Sequence, residues 1–156
     1  MTSLLKETYL LEITQAPLNI EKSYKFCLDD RSGAVVIFSG TVRNHNELSD
    51  TVDTIDYQIW ETKSLEILEK ITNIAFTKFE DLTKIYIAHR FGKLGLREES
   101  VLTAVSSPHR KNAYMASEYL IDTVKQTLPV WKFEYYDGIL QPSSDTTVIK
   151  SIENLA

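Results

Sequence analysis

The feature that most limits the fold is the repeated change of hydrophobic period along a chain with few breakers. Only five Gly and four Pro punctuate 156 residues, and no internal repeat or low-complexity run is present. The clearest helix spans residues 61–79, where Leu65, Leu68, Ile71, Ala75 and Phe79 recur every three or four positions without an internal Gly or Pro. Just before it, residues 54–60 alternate, with Ile55, Tyr57 and Ile59 on one face of a half-buried strand. Ser107-Pro108 offers an N-cap and a first helical residue for a second long helix. That helix runs to about Thr127 with Ala113, Ala116, Leu120, Thr123 and Val124 inward, and Pro129 stops it.

Further strands are expected at residues 9–13, 34–42, 84–89, 101–106 and 130–136. A short helix is expected at 19–28, with Ile20, Tyr24, Cys27 and Leu28 as its inward stripe. Residues 29–33 and 92–95 read as turns and 43–50 as a polar loop. The order β-α-β-β-α-β-β-α-β mixes helical crossovers with direct strand-to-strand turns. It predicts an α+β fold with a mixed or antiparallel sheet and three main helices. The length suits one domain, with its main body in residues 1–136 and a loop-rich tail of weak periodicity, 137–156, belonging to the same domain.

Composition narrows the chemistry. With 17 Lys+Arg against 22 Asp+Glu the formal charge is -5, which argues against salt-driven nucleic-acid binding. A single cysteine, Cys27, excludes an intrachain disulfide, argues against a Cys-based zinc site, and reads as a small core residue. The first ten residues lack the basic start and long apolar stretch of a signal peptide. The longest clean apolar run, residues 34–38, is far short of the roughly 20 residues that span a membrane. A cytoplasmic protein without membrane contact is expected. No Gly-rich phosphate loop, His/Glu metal helix or nucleophile elbow occurs, so neither metal nor cofactor is expected. Chemistry must come from Lys, Arg, His, Ser or carboxylates.

Cations are scarce, so their placement carries information. All three histidines lie near an arginine, in Arg43-Asn44-His45, His89-Arg90 and His109-Arg110, each at a predicted strand end or helix start. Arg grips phosphate or carboxylate through a planar fork, and His can donate a bond or move a proton near neutral pH. Scattered surface cations capping carbonyls would read the same way. His109 and Arg110 in a first helical turn oppose the helix dipole, which makes sense if an anion binds there. Lys125 in the last helical turn and Lys132 in the returning strand flank the reversal at Pro129, so two ammonium groups could share a pocket as base or nucleophile. Alternatively, Lys125 simply complements the helix C-terminus. Glu134 lies two residues beyond Lys132, hence on the same strand face, where it could orient Lys132 or a substrate N–H, or form a plain surface pair.

Taken together, these segments resemble the large, catalytic subunit of molybdopterin synthase. The resemblance rests on Gly33-Ala34-Val35-Val36 leading through Phe38-Ser39-Gly40-Thr41-Val42-Arg43-Asn44-His45-Asn46, then His89-Arg90-Phe91-Gly92-Lys93-Leu94 and Val105-Ser106-Ser107-Pro108-His109-Arg110. It closes with Leu120-Ile121-Asp122, Lys125, Pro129-Val130-Trp131-Lys132 and Glu134. It implies an α/β hammerhead-type fold and a homodimer that takes up a small ubiquitin-like sulfur carrier at each end, giving a heterotetramer. The carrier's Gly-Gly thiocarboxylate would deliver sulfur, in two rounds, to cyclic pyranopterin monophosphate. By the same resemblance Lys125 and Lys132 match the two catalytic lysines. Arg43, His109 and Arg110 match anion- and pterin-binding positions, and Thr41, Val42, Phe133 and Glu134 line the same site.

Three departures stand out. Thr41 is found where the family often has Lys, Gly95-Leu96-Arg97-Glu98 replaces a Pro-Gly-acidic turn, and no arginine follows Arg110. An arginine that family members can reach across the dimer from the C-terminal region is therefore missing or replaced. The competing reading keeps the fold without catalysis, as a binder of ubiquitin-like tails or phosphorylated ligands, but binding alone would not need both lysines. A phosphohydrolase or acyltransferase would need a nucleophile or metal site that the sequence does not show.

Overall fold

The computed structural model describes residues 1–46, 51–136, 139–143 and 149–152. Its elements are β1 (Thr2–Leu5), β2 (Tyr9–Thr14), α1 (Ile20–Cys27), β3 (Ala34–Thr41), β4 (Val52–Ile59) and α2 (Glu61–Lys78). They continue with β5 (Lys84–Arg90), β6 (Gly92–Gly95), β7 (Glu99–Ser107), α3 (Arg110–Thr127), β8 (Val130–Tyr136) and β9 (Ile139–Pro142). The strands form two sheets. One has the order β1-β2-β5-β7-β3 and is mixed, because β2 and β5 run parallel while its other pairs are antiparallel. The other, β6-β4-β8-β9, is antiparallel throughout. The α+β class with three helices is thus the observed architecture.

The five-stranded sheet is covered on both faces, which explains why β2, β5 and β7 read as near-continuous apolar runs. On one face Leu11, Ile13, Ile85, Ile87 and Val105 meet Leu68, Ile71 and Ala75 of α2 and Ala113, Ala116 and Leu120 of α3. On the other, Leu10, Tyr86, Leu102 and Ala104 meet Cys27 of α1. Each of these positions follows from period two in the strands and 3.6 in the helices. A smaller core of Val42, Val52, Ile55 and Leu94 joins the end of β3 to the four-stranded sheet. No helix among the described residues is long and apolar enough to cross a membrane.

Several expectations are corrected. Residues 2–5 form an edge strand paired antiparallel with β2, a piece too short to show a period. Residues 92–95 are strand β6 rather than a turn, since Gly92 and Gly95 pair with Tyr57 and Thr54 of β4. Ser107 does not cap α3. It remains in β7 opposite Ala34, its hydroxyl donates to the His109 carbonyl at 2.6 Å, and α3 starts at Arg110 with His109 as N-cap. On α1 the buried positions are Ser23 and Cys27, whereas Ile20, Tyr24 and Leu28 are exposed, so the helix is rotated from the expected stripe. Within the expected tail, Ile139–Pro142 is a strand paired with β8. Of the expected 43–50 loop, positions 47–50 lie outside the described residues, as do tail positions 137–138, 144–148 and 153–156.

Candidate active site

A cavity of about 560 Å³ opens where the C-terminal turn of α3 meets the end of β3 and the inner face of the four-stranded sheet. Its sheet wall follows from alternation. Val130, Lys132 and Glu134 share one face of β8, and their partners across the ladder are Ile59, Tyr57 and Ile55. Of these, Ile55, Tyr57, Val130, Lys132 and Glu134 line the cavity. Lys125 enters from the last turn of α3, and the chain reverses tightly through Pro129, with the Val130 N–H donating to the Leu128 carbonyl at 2.8 Å. The two lysines expected to share a pocket therefore do so.

The third side comes from β3. The β3–β7 register shifts between Gly40 and Thr41, a bulge that bends the strand end. A Cβ on Gly40 would lie 2.7 Å from Val101 Cγ1, so only glycine lets β3 lie this close to β7 here. Beyond the bulge Thr41, Arg43 and His45 reach the cavity. The Arg43 Nε donates to the His45 carbonyl at 3.0 Å, a bond that helps shape this loop.

Among the described lining residues the charges are three cations, Arg43, Lys125 and Lys132, and one carboxylate, Glu134, on a chain whose net charge is -5. Glu134 is buried, with one oxygen 3.2 Å from the Lys132 ammonium and the other accepting a bond from the Asn46 side-chain amide. Asn46 thus orients the carboxylate that orients Lys132. The wall also holds His89, at the end of β5, whose Nδ1 donates to the Arg90 carbonyl at 2.9 Å and whose ring meets Tyr57 edge-on at 5.8 Å. Burial depresses its pKa to about 4, so the imidazole is neutral near pH 7. Such a pocket suits an anionic ligand, and supplies ammonium groups able to move protons.

The other expected site residues do not converge here within one chain. Val42 is buried in the small core, where its N–H donates to the Glu98 carbonyl. Phe133 is on the opposite face of β8 from Lys132 and Glu134. His109 and Arg110 are exposed at the far end of α3, 15 helical residues or about 22 Å from Lys125 along the axis. Arg90 instead ties the strand ends together, donating to the Gln15 carbonyl at 3.1 Å and to Glu98 at 2.8 Å. Sequence reasoning missed Tyr57 and His89 as wall residues and Asn46 as a second partner of Glu134. Tyr57 was legible as inward-facing, but its pairing with Lys132 is a matter of cross-strand register.

Fold and site define an α+β protein with a cationic pocket shaped by two sheets and a helix end. The chain belongs to the MoaE protein family, whose model matches residues 13–127. It is 39% identical over 130 residues to the molybdopterin synthase catalytic subunit of Dictyostelium discoideum, covering 82% of each chain. It is likewise 39% identical over 126 residues to that of Bacillus subtilis, covering 81% of this chain and 79% of the relative. The fold matches molybdopterin synthase from Staphylococcus aureus with a TM-score of 0.81 at 31% identity, over 90% of this chain and 99% of the other.

Proposed function

We propose that this chain is the catalytic subunit of a molybdopterin synthase, which moves sulfur from the C-terminal thiocarboxylate of a small ubiquitin-like carrier onto cyclic pyranopterin monophosphate. The observation that carries the reading is the convergence of Lys125, Lys132 and Arg43 on one cavity of an otherwise acidic protein. Arg43 holds the phosphate. Lys125 positions the thiocarboxylate and the intermediate, and Lys132, oriented by Glu134, is the acid/base partner. Each round forms one carbon–sulfur bond on the pterin, and water supplies the oxygen that leaves the carrier with a carboxylate. Family membership supports this reading, as does the absence of any need for a reactive cysteine, since the sulfur arrives on another protein.

His109 and Arg110 join the site in this reading through a second copy of the chain. β3 is an edge of the five-stranded sheet, with one end beside Ser107 and the other at the cavity. A two-fold axis near the middle of β3 would carry one copy's His109–Arg110 end to the other's Thr41–Arg43 end. The function is tested with thiocarboxylated carrier and precursor. Lys125→Ala and Lys125→Arg should both lower turnover by at least about 100-fold, because Ala removes the charge and the flat, longer guanidinium does not place it where the compact ammonium holds the thiocarboxylate. Normal turnover by Lys125→Ala would remove the assignment.

A further inference from the structure

Among the described residues the charged side chains of the cavity are mostly donors. Arg43, Lys125 and Lys132 can only donate, and Glu134, the one carboxylate among the described lining residues, already receives Lys132 and Asn46. Donors suit the anionic parts of a ligand, but a pterin ring also presents N–H and amino groups that need acceptors. His89 is a candidate acceptor. Its Nδ1 carries a proton, because the contact to the Arg90 carbonyl requires a donor, and that places the lone pair of the neutral ring on Nε2. Among the described residues Nε2 has no hydrogen-bond partner, while the residue lines the cavity with 7% of its surface exposed. Tyr57, edge-on to the same ring and on the same cavity wall, adds an aromatic surface against which a flat heterocycle can lie.

We propose that His89 and Tyr57 form the ring subsite of this pocket, with His89 Nε2 accepting a hydrogen bond from a ring N–H or amino group of the bound heterocycle. Arg43 takes the phosphate, so the substrate lies with its ring toward β5 and β4 and its phosphate toward the β3 end. This orientation rests on the pterin phosphate reading given above.

The test is calorimetric binding of cyclic pyranopterin monophosphate, and separately of inorganic phosphate, to the full-length protein without carrier. His89→Asn keeps a donor near the Nδ1 position and loses the acceptor, whereas His89→Gln can place an amide oxygen near Nε2. His89→Asn should weaken pterin phosphate binding at least about tenfold and leave phosphate binding unchanged, and His89→Gln should restore most of the loss. In wild type with ¹⁵N-labelled histidine, the His89 Nε2 resonance should move on adding pterin phosphate and stay in place with inorganic phosphate, a readout that does not depend on a variant folding. Equal pterin affinity in wild type and His89→Asn, or an unmoved Nε2 resonance in saturated wild type, overturns the subsite and leaves the substrate reading intact. Wild type that binds no pterin phosphate overturns both.

Discussion

The Lys132 ammonium lies 3.2 Å from Glu134 Oε1 on the same face of β8, and that carboxylate is almost wholly withdrawn from solvent. A buried carboxylate is retained at a cost unless it is paired, and here Lys132 and Asn46 take its two oxygens. Glu134→Gln keeps shape and volume but removes the charge that orients Lys132. Turnover should fall roughly 10- to 100-fold, the scale of lost proton-transfer alignment, with little change in precursor KM. Steady-state kinetics check this, and a change in KM alone would mean that Glu134 binds substrate instead of positioning Lys132.

Cys27 is fully buried against Tyr86 and Ala88, and desolvation pushes its thiol pKa up to about 12. A thiol held protonated and out of reach does not attack. Native protein should therefore resist alkylation at pH 8 for hours and react in full once denatured, as mass spectrometry would show. Cys27→Ser should retain turnover while losing stability, since a hydroxyl is buried in place of a small apolar group.

His89 sets an acid limit on stability. Its native pKa, about 4, lies below the 6.5 of a solvated imidazole, so between those values the unfolded chain binds the extra proton. The contribution is complete above pH 6.5 and is lost as pH falls toward 4, for a total of at most roughly 3 kcal/mol. Denaturant midpoints measured from pH 7 to 4 should decline over that window, and His89→Asn should flatten the decline.

The long helices were legible because α2 and α3 bury one stripe each, and the stop at Pro129 already put Lys125 and Lys132 on either side of one chain reversal, where sharing a pocket was one of two open readings. Glu134 was legible through strand alternation, and the same alternation excludes Phe133 from that face. Less was readable where pairing, not local preference, decides. Gly92–Gly95 looks like a turn until β4 pairs with it, and Thr2–Leu5 is a strand only because β2 offers an edge. The division into two sheets depends on contacts such as Tyr57 with Lys132, 75 positions apart, which no period reports. The separation of His109 and Arg110 from Lys125 required the helix length and a place for its two ends.

The central claim is a catalytic pocket built on Lys125 and Lys132 and completed by Arg110 of a second copy. It is tested most directly by co-producing two differently tagged inactive variants, Lys125→Ala and Arg110→Ala, and measuring sulfur transfer by the purified mixed dimer. Such a dimer holds one site with both defects and one with none, so it should turn over at about half the wild-type rate per dimer. A mixed dimer no more active than either parent would contradict the account.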